Sequence, residues 1–212
     1  MVSVRKGDLV RLEYTGRVAS TGQIFETTDE QLAKRIGIYE DFAAYGPKLA
    51  VFGNGSVLRG LEEAIVSAEL GKQEEFVMPA GKAFGERVPA LVRVVSEKEF
   101  AKQNVRPVPG MVVAVNDVAA QVKSVTSGRV VVDFNHPLAG ESVKYTLKVD
   151  EVISDEGKKV EAILAVAGAK ADVKKSQSGL EVEFEKGIEQ QKAEQLKKLI
   201  LAVAPGASFK AS

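Results

Sequence analysis

The chain has 212 residues, 45% of them hydrophobic and 27% charged, with Lys+Arg and Asp+Glu equal at 29 each. That length holds one large domain or two to three small ones. The balanced charge points to neither nucleic acid nor membrane as partner, and the lack of cysteine excludes disulfide frameworks, thiolate metal sites and a cysteine nucleophile.

The opening residues turn polar at once, without the apolar core of a signal peptide. No window reaches the roughly 18–20 apolar residues a membrane helix needs. A soluble cytoplasmic protein is expected.

Val10, Leu12 and Tyr14 alternate with Arg11, Glu13 and Thr15, which predicts a strand, and residues 23–28 follow a Thr21-Gly22 turn as a second. Asp29 and Gly37 are placed to cap and stop a short helix. Tyr39, Phe42 and Tyr45 then mark an aromatic loop, expected to pack on itself. From Leu58 to Leu70, Leu61, Ala64, Ile65 and Ala68 fall on one helical face, with Gly71 as the expected left-handed end. Lys72 to Met78 reads as a strand that Pro79 stops.

Composition shifts near Val88. Ser96 and Glu99 have capping-box spacing ahead of a short helix through Phe100. Three β-rich runs follow at 111–116, 118–125 and 129–135, joined by connections short enough for hairpins. Residues 142–153 alternate as one long strand. In the tail, Val160, Ala162, Leu164 and Val166 alternate, as do Leu180, Val182 and Phe184. From Ile188 the period becomes helical, with Leu196, Leu199, Ile200 and Val203 on one stripe. A β-β-α unit is expected there.

No conventional reactive constellation emerges. Gly53-Asn54-Gly55 lacks the third glycine of a dinucleotide loop, since Leu58 stands there, and Leu61-Glu62 replaces the Lys-Ser/Thr of a phosphate loop. His136 is the single histidine, too few for a metal site or a triad, and reads as a turn residue. Glu62-Glu63 and Glu74-Glu75 read as solvated faces, and Lys192 to Lys198 is balanced by Glu189 and Glu194. Neither cofactor nor metal is expected. An apolar set remains, and periodicity alone cannot distinguish a pocket from a core.

At these residues the chain resembles the FKBP-type peptidyl-prolyl cis-trans isomerases. The matching pieces, in the family's order, are YTGRV, TGQIFETT, VFGNGSVLRGLEEA, MPAGKAFG and YTLKVDEVI. Within that family it is similar to the SlyD-like branch and its long archaeal relatives, whose hallmark is an insert-in-flap chaperone domain. The stretch VVVDFNHPLAGESVKY resembles that branch's return path. The fold expected is α+β: the resemblance implies an FKBP-like antiparallel sheet wrapped on a short helix and an inserted small antiparallel β domain, and the tail's own pattern adds a C-terminal β-β-α domain. The implied boundaries are 1–86 with 140–154 for the isomerase and 87–139 for the insert; the tail, 155–212, lies beyond the resemblance and is expected to mediate a homodimer.

By that resemblance Tyr14, Phe25, Val57, Leu58, Leu61, Phe84 and Tyr145 line a proline pocket, and the Leu58 N–H donates to a substrate carbonyl. Glu26 falls where the family usually has Asp. Leu61 stands for the Trp floor of the drug-binding members, which should weaken macrolide binding. Phe84 lacks a Tyr hydroxyl, and Lys48 occupies a position often aromatic or aliphatic. The implied activity is isomerisation of X–Pro bonds in unfolded or partly folded polypeptides, with chaperone activity from the insert. The alternative is a non-enzymatic holdase or peptide-binding module on the same scaffold.

Overall fold

A computed structural model of the chain describes residues 3–55, 57–176, 179–185 and 187–210. Up to Met78 the elements are β1 (Leu9–Val18), β2 (Ile24–Thr27), α1 (Glu30–Ile36), β3 (Lys48–Val51), α2 (Arg59–Ser67) and β4 (Gln73–Met78). Then come β5 (Val92–Ser96), α3 (Glu97–Lys102), β6 (Val112–Val115), β7 (Val118–Thr126) and β8 (Arg129–Asp133). The chain closes with β9 (Val143–Ile153), α4 (Glu156–Val166), β10 (Ala171–Ser176), β11 (Gly179–Phe184), α5 (Gln190–Val203) and β12 (Ser208–Lys210). Two compact units result, one from Met1–Met78 with Val143–Ser212 and the other from Pro79–Ser142. Among the described residues no helix is long and apolar enough to cross a membrane.

The first unit carries an antiparallel sheet in the order β2-β1-β9-β4, with β3 also paired to β1. Alternation in β1 buries Val10 and Leu12 completely, while the intervening Arg11 and Glu13 stay half-buried. The chain leaves this sheet at Met78 and re-enters it at Val143, and these two residues are cross-strand partners in the β4–β9 ladder. Asp29 caps α1 by accepting from the Leu32 N–H, and Gly37 ends it at φ 77°, as the spacing predicts. The apolar face of α2 is also as expected, with Leu61, Ala64, Ile65 and Ala68 buried.

That helix is shorter than Leu58–Leu70. Ala68 already turns extended (ψ 159°), and the left-handed Gly71 donates its N–H to Val149 O (2.8 Å) rather than ending the helix. Strand β3, only four residues long, escapes periodicity altogether.

The tail needs a larger correction. It is α4-β10-β11-α5-β12, not β-β-α, and residues 160–166 are helical. Asp155 caps α4 through the Lys158 N–H, and Ile163 breaks the apparent alternation by adding a third apolar residue to the Val160–Leu164 stripe. The parallel β11–β12 pairing was not anticipated either, whereas Leu180, Val182 and Phe184 are buried as predicted. Leu199, expected on the buried stripe of α5, is 53% exposed, and Ala193 joins Leu196, Ile200 and Val203 there instead. These elements share one core with the ends of β1 and β9: Leu9 and Ile153 pack among Val160, Leu180, Val182 and Ile200. Lys159 seals that junction, its Nζ lying 3.2 Å from the Asp8 carboxylate and donating to Gly7 O at 2.7 Å, with both side chains buried.

The second unit has a four-stranded antiparallel sheet, β5-β8-β7-β6. Both short connections are hairpin turns through left-handed backbone, at Asn116-Asp117 (φ 50° and 62°) and Ser127-Gly128 (φ 47° and 77°). Ser96 caps α3. One face of the sheet packs Val113, Ala120, Val122, Val130 and Val132 around Phe100. The other leaves Val94 (64%) and Val112 (67%) exposed. Strand β5 is not legible in the sequence because it is five residues long and its adjoining Val94 and Val95 break the alternation.

Candidate active site

The first unit builds an aromatic cluster from three adjacent strands. Gly16 on β1 is the cross-strand partner of Glu26 on β2 and of Tyr145 on β9, so these three residues form one row across the sheet. Without a side chain at Gly16, the Tyr145 ring lies across β1 and its hydroxyl donates to Glu26 Oε1. A Cβ at Gly16 would stand 2.8 Å from Phe25 Cζ and 3.0 Å from Tyr145 Cε1. The Phe25 ring meets Tyr145 edge-on (5.9 Å, 80°), and Tyr14 packs tilted against the same ring (5.8 Å, 57°). Four of the predicted site residues, Tyr14, Phe25, Glu26 and Tyr145, are therefore in one contact network.

Buried threonines hold this network in place. The Thr28 hydroxyl accepts from the Tyr14 N–H (2.9 Å), and the Thr28 N–H donates to Tyr14 O (2.9 Å). Thr27 and Thr15 join their hydroxyls at 2.7 Å. Gly16, Thr27 and Thr28 thus fix the site's geometry and were missed. The Gly following Tyr14-Thr15 inside a strand was the available signal, since an interior strand glycine marks a close approach.

Of the remaining expected residues, Val57 and Leu58 are half-buried ahead of α2, and Leu61 is 2% exposed on its first turn. Leu58 O accepts from the N–H groups of Leu61 and Glu62 (2.9 and 3.0 Å), which starts the helix. The Leu58 N–H has no acceptor among the described residues. Tyr145 is fully buried, so it backs the wall behind Tyr14 and Phe25. Phe84 belongs to the second unit, where its ring stacks on His136 (4.5 Å, 2°). His136 also accepts the Leu138 N–H at Nδ1, the turn role expected of it.

Electrostatics keep the two tyrosines of the cluster protonated. Burial, reinforced by the charge of Glu26, pushes the Tyr14 hydroxyl up to about 12. Burial, Glu26 and Tyr14 push Tyr145 up further. Both hydroxyls are donors at any physiological pH. Beside the cluster lies a cavity of about 180 Å³ lined by Phe25, Glu26, Glu40, Tyr45 and Lys48. In the loop above it Tyr39 and Tyr45 stack on one another (5.3 Å, 13°), as expected of a self-packed loop, but Phe42 is fully exposed.

What the arrangement offers chemically is apolar ring surface, hydroxyl donors, one bonded carboxylate and a backbone N–H at a helix start. Among the described residues it holds no nucleophile paired with a base.

Residues 93–138 match a family model described as the FKBP26 IF domain. A short-type peptidyl-prolyl cis-trans isomerase of Methanocaldococcus jannaschii is 34% identical over 149 residues, covering 70% of this chain and 94% of that protein. An FKBP-type 16 kDa peptidyl-prolyl cis-trans isomerase of Escherichia coli is 26% identical, covering 50% of this chain and 74% of that protein. SlyD of Escherichia coli, named as an FKBP-type isomerase, is 32% identical over 46% of this chain and 51% of its own length. Matched along nearly the whole of the archaeal relative, the chain belongs to the FKBP-type peptidyl-prolyl cis-trans isomerases.

Proposed function

We propose that the chain accelerates proline-limited protein folding, with the proline ring received by Tyr14, Phe25, Val57, Leu58 and Leu61 over a base of Tyr145. The single observation that carries this reading is the aromatic network across Gly16, in which Tyr145 is bonded to Glu26 while Tyr14 and Phe25 pack on its ring. Rotation about a peptide bond costs about 18–20 kcal/mol because resonance is lost at the twisted geometry. For X–Pro bonds the two isomers are nearly equal in energy, yet exchange takes tens to hundreds of seconds.

The twisted amide is less polar than the planar one, so an apolar wall stabilises it relative to water. A site that grips the ring while the preceding carbonyl turns binds the twisted state better than either planar state. The Leu58 N–H donates to a substrate carbonyl and anchors one side of the rotating bond. Acid, base and nucleophile are all dispensable in this scheme, in keeping with the side chains present.

The functional division follows the resemblance for residues 1–154, in which 1–86 and 140–154 isomerise and 87–139 hold unfolded clients; for 155–212, beyond the resemblance, the role proposed is self-association. The exposed Val94 and Val112 support the client-binding role, since an apolar sheet face engages extended chains. Tethering a client there raises its concentration at the isomerase without new chemistry. The partners are unfolded or partly folded polypeptides with X–Pro bonds, and a cytoplasmic setting suits the cysteine-free chain.

The test is cis-to-trans relaxation of a proline tetrapeptide alongside refolding of a proline-limited protein. Catalysis of both, reduced at least tenfold by Phe25→Ala, is the expected result. Prevention of aggregation without catalysis in either assay overturns the reading in favour of a holdase.

A further inference from the structure

Lys48 is a cation set into the aromatic network. It opens β3 and pairs across the sheet with Leu12, so its side chain emerges on the same face as Leu12 and, one diagonal step along β1, Tyr14. Its Nζ stands 5.7 Å from the centroid of the Tyr14 ring. It also lines the cavity beside Phe25 and Glu26. Among the described residues it forms no ion pair with a carboxylate, unlike Lys34 and Lys144, which pair with Glu30 and Glu75, and Lys148, which pairs with Glu13 and Asp150. Neither carboxylate lining the same cavity pairs directly with it: Glu26 accepts the Tyr145 hydroxyl, and Glu40 makes no ion pair among the described residues.

We infer that Lys48 is a specificity-determining residue that selects polypeptide substrates carrying an acidic side chain next to the isomerising proline. The inference rests on the isomerase reading of this site and names a preference within it. A lysine laid over an aromatic face keeps its methylene stem on the ring and its ammonium at the rim. A residue flanking a proline held against Tyr14 and Phe25 lies within reach of that ammonium. An acidic flanking residue completes an ion pair the protein leaves open, an apolar one gains only the stem, and a basic one is repelled. Because the pair forms at an exposed rim, its effect on kcat/KM is about two- to fivefold and fades with salt.

The experiment measures kcat/KM for three tetrapeptides that differ only in Glu, Leu or Lys before proline, at low and at high ionic strength. It uses the full-length protein and its Lys48→Met and Lys48→Glu variants. The expected order for the unmodified protein is Glu over Leu over Lys, with the Glu/Lys ratio at least about fourfold and shrinking in salt. Lys48→Met brings that ratio close to one, and Lys48→Glu inverts it. Glu40→Gln widens it, since a competing negative charge is removed. Catalysis of the Leu peptide with a Glu/Lys ratio that Lys48→Met leaves unchanged overturns the role of Lys48 while sparing the isomerase site. Absence of catalysis on all three peptides overturns both.

Discussion

Replacing Gly16 by alanine tests the aromatic network at its tightest point. The added Cβ would lie 2.8 and 2.9 Å from two Phe25 ring atoms and 3.0 Å from Tyr145 Cε1. Carbon pairs settle near 3.5–4.0 Å, so about 0.5–1 Å of movement is forced. Tyr145 cannot supply it, being fully buried and bonded to Glu26. Phe25, half-buried on the short edge strand β2, has to yield. Overpacking of this kind costs about 1–3 kcal/mol.

Alanine recovers part of this, about 0.5–1 kcal/mol, because Gly16 lies in a strand at negative φ, where alanine is the better residue. The net expectation is about 1–2 kcal/mol of destabilisation, or a Tm lower by roughly 2–8 °C for a chain of this size. Activity falls further than stability, by about 10- to 100-fold in kcat/KM, because a displaced ring disturbs the grip on proline. Calorimetry and the tetrapeptide assay measure the two effects. Gly16→Ala combined with Phe25→Leu should be less destabilised than the sum of the single variants, since the smaller side chain makes room. A Gly16→Ala protein with unchanged Tm and kcat/KM within twofold of the parent would refute the close-approach argument.

Lys159→Met should cost about 3–5 kcal/mol in urea unfolding, because it strands the buried Asp8 carboxylate, and Asp8→Leu in the same chain should restore most of the loss. Burial pushes the Asp8 carboxyl up, but the Arg5 N–H, Lys159 and Ser154 outweigh it and hold it below its ordinary value. Its contribution is thus present above about pH 4 and lost as pH falls through the lowered value. Tyr14 acts at the other end: its proton is retained to about pH 12 when folded but released near pH 10 when unfolded. Stability should fall by up to about 2 kcal/mol between those values, allowing for solvent screening, and Tyr14→Phe should flatten that part of the decline in alkaline urea titrations. Val94→Glu with Val112→Glu should leave tetrapeptide turnover within twofold and reduce suppression of client aggregation several-fold, and unchanged suppression would remove those valines from client binding.

The strands with long alternation, β1, β9 and β11, and the capped helix α1 were readable because each repeats its signal over several residues or marks it with a cap. Strands β3 and β12 are too short to show a period, and their place comes from pairing with β1 and β11. Residues 160–166 were misread because two turns of helix and a short strand can bury the same Val160, Ala162 and Leu164. Tyr14, Phe25, Glu26 and Tyr145 were named from family resemblance. That Gly16 is the hinge of their contacts follows only from register, since nothing local says that Glu26 and Tyr145 flank the same glycine from two sides.

The pairing of Met78 with Val143 has a consequence for synthesis. Strand β9 lies between β1 and β4 in the sheet, yet it leaves the ribosome only after all of Pro79–Ser142. Every strand pairing of the second unit is local by comparison and can be completed while β1 and β4 still lack their shared neighbour. During translation the valine-faced unit can therefore form before the isomerase sheet closes. The last piece of the aromatic network to arrive, Tyr145, comes with the strand that closes it.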